Sequence, residues 1–346
     1  MNTAPLIRWL AAAAMVACAG KAGTAAADAV ADFYDGKVLT MMVGYPPGGT
    51  YDVYARLIAQ HMTDYIPGKP TFIVKNRPGA ASLASVNELY NIAPQDGTVI
   101  GTFARSVPMD RLLGRPGANF VPTELNWIGS ANNEVSLCSV WHTVGIKSVQ
   151  DFMARPIVFG SNAAGSESDM YPSILNNLLG AHFKIVTGYP GANDLSMAME
   201  RGEIQGRCGW TWSAAVVTHP DWIRDKKFVV PVLFATKKPP ELKDVPLVTE
   251  LARNDKERQA LELILSNQTM GRPYAAPPHV PADRVTALRR AFDATLKDET
   301  FLAEAKQQKL EVQPVTGEEL QQIVVRMYQT PKDIVETARH AIEHAN

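Results

Sequence analysis

Short apolar runs alternate along this chain with stretches whose apolar positions recur at helical spacing. The first run, Lys37 to Val43, is rich in strand formers and is bounded by Gly44 and two prolines. The turn Tyr45-Pro46-Pro47-Gly48-Gly49 follows, and then Val53, Leu57, Ile58 and Met62 mark one helical face. Thr50 suits the N-cap of that helix, and Asp52 sits in its first turn, where acids are favoured. Thr71 to Lys75 predicts a second strand, Asn76-Arg77-Pro78-Gly79 a turn, Ala81 to Ile92 a helix, and Val99 to Phe103 a third strand after the turn Pro94-Gln95-Asp96-Gly97. Strands alternating with helices imply parallel β-α-β units.

The pattern restarts at Asn126. Glu134 to Trp141 and Pro156 to Gly160 read as strands, with a short helix at Val149 to Met153 between them. The small, polar turn Ser161-Asn162-Ala163-Ala164-Gly165-Ser166-Glu167-Ser168 then leads into a helix at Tyr171 to Leu179. Glu203 to Trp210 and Val229 to Ala235 predict further strands, Thr249–Arg253 and Lys256–Leu265 helices, and Ser266 to Met270 a returning strand. The remainder is helical: Ala282–Lys297, Phe301–Lys309, Glu318–Tyr328 and Lys332–His344. An internal match supports two like lobes. Ile73-Val74, Pro78-Gly79-Ala80 and Leu83 recur at the same spacing as Ile185-Val186, Pro190-Gly191-Ala192 and Leu195.

Composition narrows the function classes. The 346 residues suffice for two domains, and a net charge of −1 gives no sign of a nucleic-acid partner. Arg8, the apolar stretch Trp9 to Ala19 and the small residues Ala25-Ala26-Ala27 form a secretory signal pattern, with cleavage expected near Ala27–Asp28. A lipoprotein reading at Cys18 ranks lower, because Met15 fits that motif poorly. Cys138 and Cys208 remain after cleavage; in an oxidising compartment they can pair, or they can stay as two buried thiols. Neither a Cys-x-x-Cys motif nor paired histidines suggest a metal. The dinucleotide fingerprint, the phosphate loop and the G-x-S-x-G elbow are all missing, so neither a cofactor nor catalytic residues are expected.

The candidate chemistry lies in the glycine turns. Glycines let the backbone approach a ligand closely, and the open N–H groups of a helix start form an anion site. In parallel sheets, ligands bind beyond the carboxyl ends of the strands. Thr102 and Arg105, at the end of the third strand and just after it, lie at that edge, and Arg207 follows Gln205-Gly206 in the second half. Either arginine suits a second carboxylate or an ordinary ion pair. Glu167, beside the second turn, is expected to face water, because pointing inward it would repel an anion.

The turn Pro46-Pro47-Gly48-Gly49-Thr50-x-Asp52, the turn Asn76-Arg77-Pro78-Gly79-Ala80 and Pro94-x-Asp96-Gly97 together resemble the extracytoplasmic solute receptors of tripartite tricarboxylate transporters. Gly165-Ser166, Tyr189-x-Gly191 and Pro277-x-x-Val280-Pro281 extend that resemblance over the mature chain. It implies an α/β fold of the type II periplasmic binding protein kind: two α/β lobes joined by two crossover strands, with a ligand cleft between them. The expected division is a signal peptide at 1–27, a first lobe at 28–130, a second at 131–266, and a crossover return with C-terminal helices packed on the first lobe at 267–346. The resemblance further implies a small mono- or dicarboxylate ligand, membrane permease subunits as partners, a periplasmic monomer and closure hinged near Asn126–Val135 and Ser266–Arg272. Tyr45, Gly48, Gly49, Thr50 and Asp52 would form the first grip, Ser161, Asn162, Gly165 and Ser166 the second, and Tyr189 and Gly191 the wall. Gly188-Tyr189-Pro190 and Arg207 depart from the family pattern. A ligand-presenting partner of a sensor kinase is the alternative reading, and an exported enzyme a more distant one.

Overall fold

The computed structural model describes residues 29–346 apart from 115, 163–164 and 345–346. The signal segment and Cys18 lie outside the described residues. Strands among these residues are β1 (Val38–Val43), β2 (Thr71–Asn76), β3 (Val99–Thr102), β4 (Asn126–Ser130), β5 (Ser136–Trp141), β6 (Val158–Ser161), β7 (Lys184–Thr187), β8 (Gly206–Thr211), β9 (Phe228–Phe234), β10 (Pro273–Ala276) and β11 (Val315–Thr316). They form two sheets, ordered β11-β4-β10-β3-β1-β2 and β7-β6-β8-β5-β9. The protein is therefore a mixed α/β protein with two sheets.

Each sheet contains the same parallel core. In the first, β1 pairs in parallel with β2 on one side and β3 on the other. In the second, β6 pairs in parallel with β7 and β8. The internal match is thus one of topology as well as sequence, since Ile73-Val74 lies in β2 and Ile185-Val186 in β7. Antiparallel strands complete both sheets: β10 beside β3, and β5 between β8 and β9. Helical crossovers account for the parallel strands, and these antiparallel additions are not visible in strand-helix alternation.

The chain divides into two compact units. One takes the residues up to Ala104, Asn119–Gly129 and Arg272–Glu319; the other takes Arg105–Ala118, Ser130–Gly271 and the residues from Leu320 on. The last segment differs from the expected division, which placed it with the first lobe. Its helix Lys332–Ala341 buries Ile334, Ala338 and Ala341, and it packs on the helices Asp255–Leu265 and Glu167–Asn177 of the second unit. Apolar matching between helix faces decides that placement.

Several expected elements shift. Ser266–Met270 is a 3-10 helix, and the returning strand is β10, just beyond it. Thr249–Arg253 does not form an α-helix: Val248–Leu251 is a 3-10 turn. The helix expected from Tyr171 begins at Glu167 and accommodates Pro172 within it. Pro172 is the sixth residue of that helix, so it leaves the Ser168 carbonyl without its intrahelical donor.

Candidate functional site

In the first unit β1 ends at Val43, and the chain turns through Gly48, whose φ is +81°, into the helix Thr50–Met62. Gly49 is the N-cap, in extended conformation, and no side chain caps it. Thr50 is accordingly the first helical residue rather than the expected cap. The turn is fastened by Asp52. Its Oδ2 accepts from the Gly48 amide at 2.8 Å and from Arg56 Nε at 2.9 Å, and its Oδ1 accepts from Asn76 Nδ2 at 2.8 Å. Asn76 also donates to the Tyr45 carbonyl at 2.9 Å. Burial alone would push the Asp52 carboxyl up. The hydrogen bonds from Arg56, Gly48 and Asn76 outweigh it and hold the group below the usual carboxylate range. Asp52 thus spends its oxygens on the turn itself, and the Gly48 amide is occupied by it.

Three loops of this unit meet at Ser82, a residue the sequence did not single out. Ser82 is fully buried with φ +76°; its Oγ donates to the Gly44 carbonyl at 3.1 Å and accepts from the Ala104 amide at 3.1 Å. Left-handed backbone at a buried serine is costly and persists where surrounding contacts over-determine it. A Cβ on Gly44 would lie 2.6 Å from Ser82 Oγ, which explains the glycine directly after β1. The rings of Tyr45 and Tyr51 stack at 4.5 Å, and the Arg272 guanidinium lies 4.6 Å from the Tyr51 ring. Thr102 is fully buried opposite Tyr274 across the β3–β10 ladder, so it serves the sheet rather than a surface.

The second unit repeats the device. After β6, Gly165 has φ +77° and its amide donates to Asp169 Oδ2 at 2.8 Å, matching Gly48 and Asp52 in spacing, donor and acceptor. Ser166 is the N-cap of the helix Glu167–Asn177. The hydroxyls of Ser161, Ser166 and Ser168 lie 2.9–3.3 Å apart, and Ser168 Oγ accepts from the Asn162 amide at 3.1 Å. Ser168, which the sequence placed in the turn without a role, is the second residue of that helix; the helix expected only from Tyr171 hid this. Asn162 Nδ2 donates to the Tyr189 carbonyl at 3.1 Å, which ties this turn to the one after β7. There Gly191 caps the helix Ala192–Glu200 in extended conformation.

Both candidate arginines are engaged. Arg105 pairs with Glu167, so Glu167 does not simply face water as expected: an ion pair neutralises the acid beside the second turn. Arg207 is 4% exposed; its Nη1 donates to the Ala192 carbonyl at 2.8 Å and to Ser196 Oγ at 3.0 Å. Its guanidinium lies 4.9 Å from the Trp210 ring, while Nε has no hydrogen-bond partner. Burial pushes its pKa down to about 10, which leaves it cationic at neutral pH. No acid pairs with it among the described residues, so an uncompensated positive charge sits behind the Gly191–Ala192 turn.

Cys138 and Cys208 face each other across the β5–β8 ladder and form a disulfide, which closes the question the sequence left open. Among the described residues no cluster of His, Cys, Asp and Glu could hold a metal ion, and no helix is long and apolar enough to cross a membrane.

No protein-family model matches the chain. Among curated proteins, BugT of Bordetella pertussis is 34% identical over 84 residues, which is 24% of this chain and 25% of BugT. The chain thus spans about a quarter of that relative's length. Among solved structures, a TctC solute-binding protein from Polaromonas, without ligand, is similar at a TM-score of 0.69 and 17% identity, over 86% of this chain and 96% of that one. MatC of Rhodopseudomonas palustris, with bound malate, is similar at a TM-score of 0.57 and 18% identity, over 86% and 99%. These likenesses agree with the resemblance read from the motifs. The chain has the two-lobed α/β fold of type II periplasmic binding proteins in the form seen in TctC and Bug proteins.

Proposed function

From the fold shared with the TctC and Bug solute-binding proteins, we propose that this protein is a periplasmic receptor that captures a small organic carboxylate and delivers it to a tripartite tricarboxylate-type permease. It performs no chemistry on the ligand. The observation that carries the reading is the duplicated turn. In each unit a positive-φ glycine donates to an aspartate four residues on, and this holds the start of a helix in place.

That arrangement favours anions on physical grounds. The first N–H groups of a helix have no intrahelical acceptor, and the helix dipole is positive at that end. Each dipole contributes on the order of 0.3–1 kcal/mol, and each charge-assisted hydrogen bond about 1.5–3 kcal/mol. In the proposal Gly49 and Thr50 supply backbone donors from one turn, and Ser161, Asn162 and Ser166 supply donors from the other. Asp52 and Asp169 hold these donors in place and do not touch the ligand. The buried Arg207 charge adds attraction from behind the wall turn. A few such terms, less the cost of association, give roughly −8 kcal/mol, or micromolar affinity. MatC holds malate; a dicarboxylate of that size is the first candidate for this chain.

A thermal-shift panel of mono-, di- and tricarboxylates, with amines and neutral sugars as controls, tests the class. A ligand at a hundred times its dissociation constant adds about 2.7 kcal/mol to stability. Stabilisation by carboxylates alone is expected; stabilisation by the controls with no carboxylate response would overturn the class.

A further inference from the structure

The two fastening aspartates are supported differently. Asp52 draws its partners from nearby: Arg56 one helical turn on, and Asn76 at the end of the adjacent β2. Asp169 is fully buried, and no arginine or lysine pairs with it among the described residues. Its second partner comes from the far end of the chain, where His344 Nδ1 lies 2.5 Å from Oδ1. His344 follows the helix Lys332–Ala341, which packs on the helix Glu167–Asn177. The Asn177 side-chain amide donates to the His340, Ala341 and Glu343 carbonyls at 3.3, 3.4 and 2.8 Å, which fixes the path of the chain into His344.

A buried carboxylate is held only by what hydrogen-bonds to it. Without His344, the Gly165 amide would be left to satisfy Asp169 among the described residues. The turn that the amide anchors would then be held by a partly solvated acid. We infer that His344 is a positioning residue for the second turn: it acts through Asp169 on Gly165, so the C-terminal tail sets how firmly that turn is formed. The consequence for ligand capture rests on the carboxylate reading above, whereas the consequence for the turn does not.

Hydrogen exchange on the mature protein without added ligand, read by mass spectrometry, separates the two. His344→Ala should raise exchange about tenfold in the peptide spanning 160–170 and leave the peptide spanning 44–53 unchanged. His344→Asn, whose amide can donate from the place of Nδ1, should restore protection. Unchanged exchange at 160–170 in His344→Ala would overturn the inference. So would an equal rise in both peptides, which marks general loosening, or failure of His344→Asn to restore protection, which marks packing rather than the hydrogen bond. A turn that responds as expected in a protein that binds no carboxylate would count against the functional reading alone.

Discussion

Replacing Cys138 and Cys208 together by alanine removes a covalent link between two strands that the sheet already pairs, so its effect falls mainly on the unfolded chain. The bond closes a sequence separation of 70 residues. In the chain-entropy treatment a loop of that length stabilises by about 4.4 kcal/mol at 25 °C. Residual structure in the unfolded state lowers this figure, and the small cavities left by two fully buried sulfurs raise it. A net loss of about 3–4 kcal/mol is expected. Urea denaturation followed by tryptophan fluorescence suits the measurement, because Trp141, Trp210 and Trp222 pack together in the affected sheet. With a slope of about 2 kcal/mol/M the midpoint of that unit should fall by roughly 1.5–2 M. Reductant should move the parent protein by a similar amount and leave the double variant unmoved. A midpoint shift under about 0.5 M, or equal sensitivity of both proteins to reductant, would refute the reasoning.

Other perturbations separate fastening from contact. Asp52→Ala should cost about 2–3 kcal/mol, because it leaves the Gly48 amide and Asn76 without their acceptor. The Asp52 carboxyl is held below its ordinary value, so its contribution is present above the usual carboxylate range and lost as pH falls through the folded value. Parent and Asp52→Asn denaturation curves should therefore differ at pH 7 and converge in acid; a gap that persists in acid would contradict this. Arg207→Ala should weaken malate and lactate by similar factors, since Nη1 is already given to Ala192 and Ser196; a loss confined to malate would make Arg207 a direct contact. Burial raises the phenols of Tyr34, Tyr171 and Tyr274, so they favour the folded state below pH about 10, and that contribution fades as pH rises through their folded values. Absorbance at 295 nm should show these phenols ionising only as the protein unfolds in alkali, and full titration near pH 10 without unfolding would contradict it.

Much of the fold was legible because β1, β2 and β7 are short runs rich in strand formers and closed by glycine or proline. The Pro78-Gly79-Ala80 and Pro190-Gly191-Ala192 pair marked the duplication, and the matched sheet orders bear it out. The placement of the last helix was not legible: its apolar face, Ile334, Ala338 and Ala341, fits any apolar groove, and only packing chooses one. The returning strand was misplaced because Ser266–Met270 and Pro273–Ala276 are equally short and irregular in pattern. At the site, the glycines were visible because a positive φ at Gly48 and Gly165 demands them. The roles of Asp52, Asp169, Ser82 and Ser168 were not, since they depend on partners far away or on an unusual backbone angle at a residue other than glycine.

The most direct test of the glycine-turn account is isothermal titration of malate into the parent protein and into Gly49→Val. Gly49 has φ −77°, and a Cβ there would meet only the Pro46 carbonyl oxygen, at 3.6 Å, so the substitution spares the backbone. The account expects roughly micromolar binding by the parent, and no measurable heat from a variant whose circular dichroism and melting temperature are unchanged. A folded Gly49→Val protein that binds malate as tightly as the parent would contradict it.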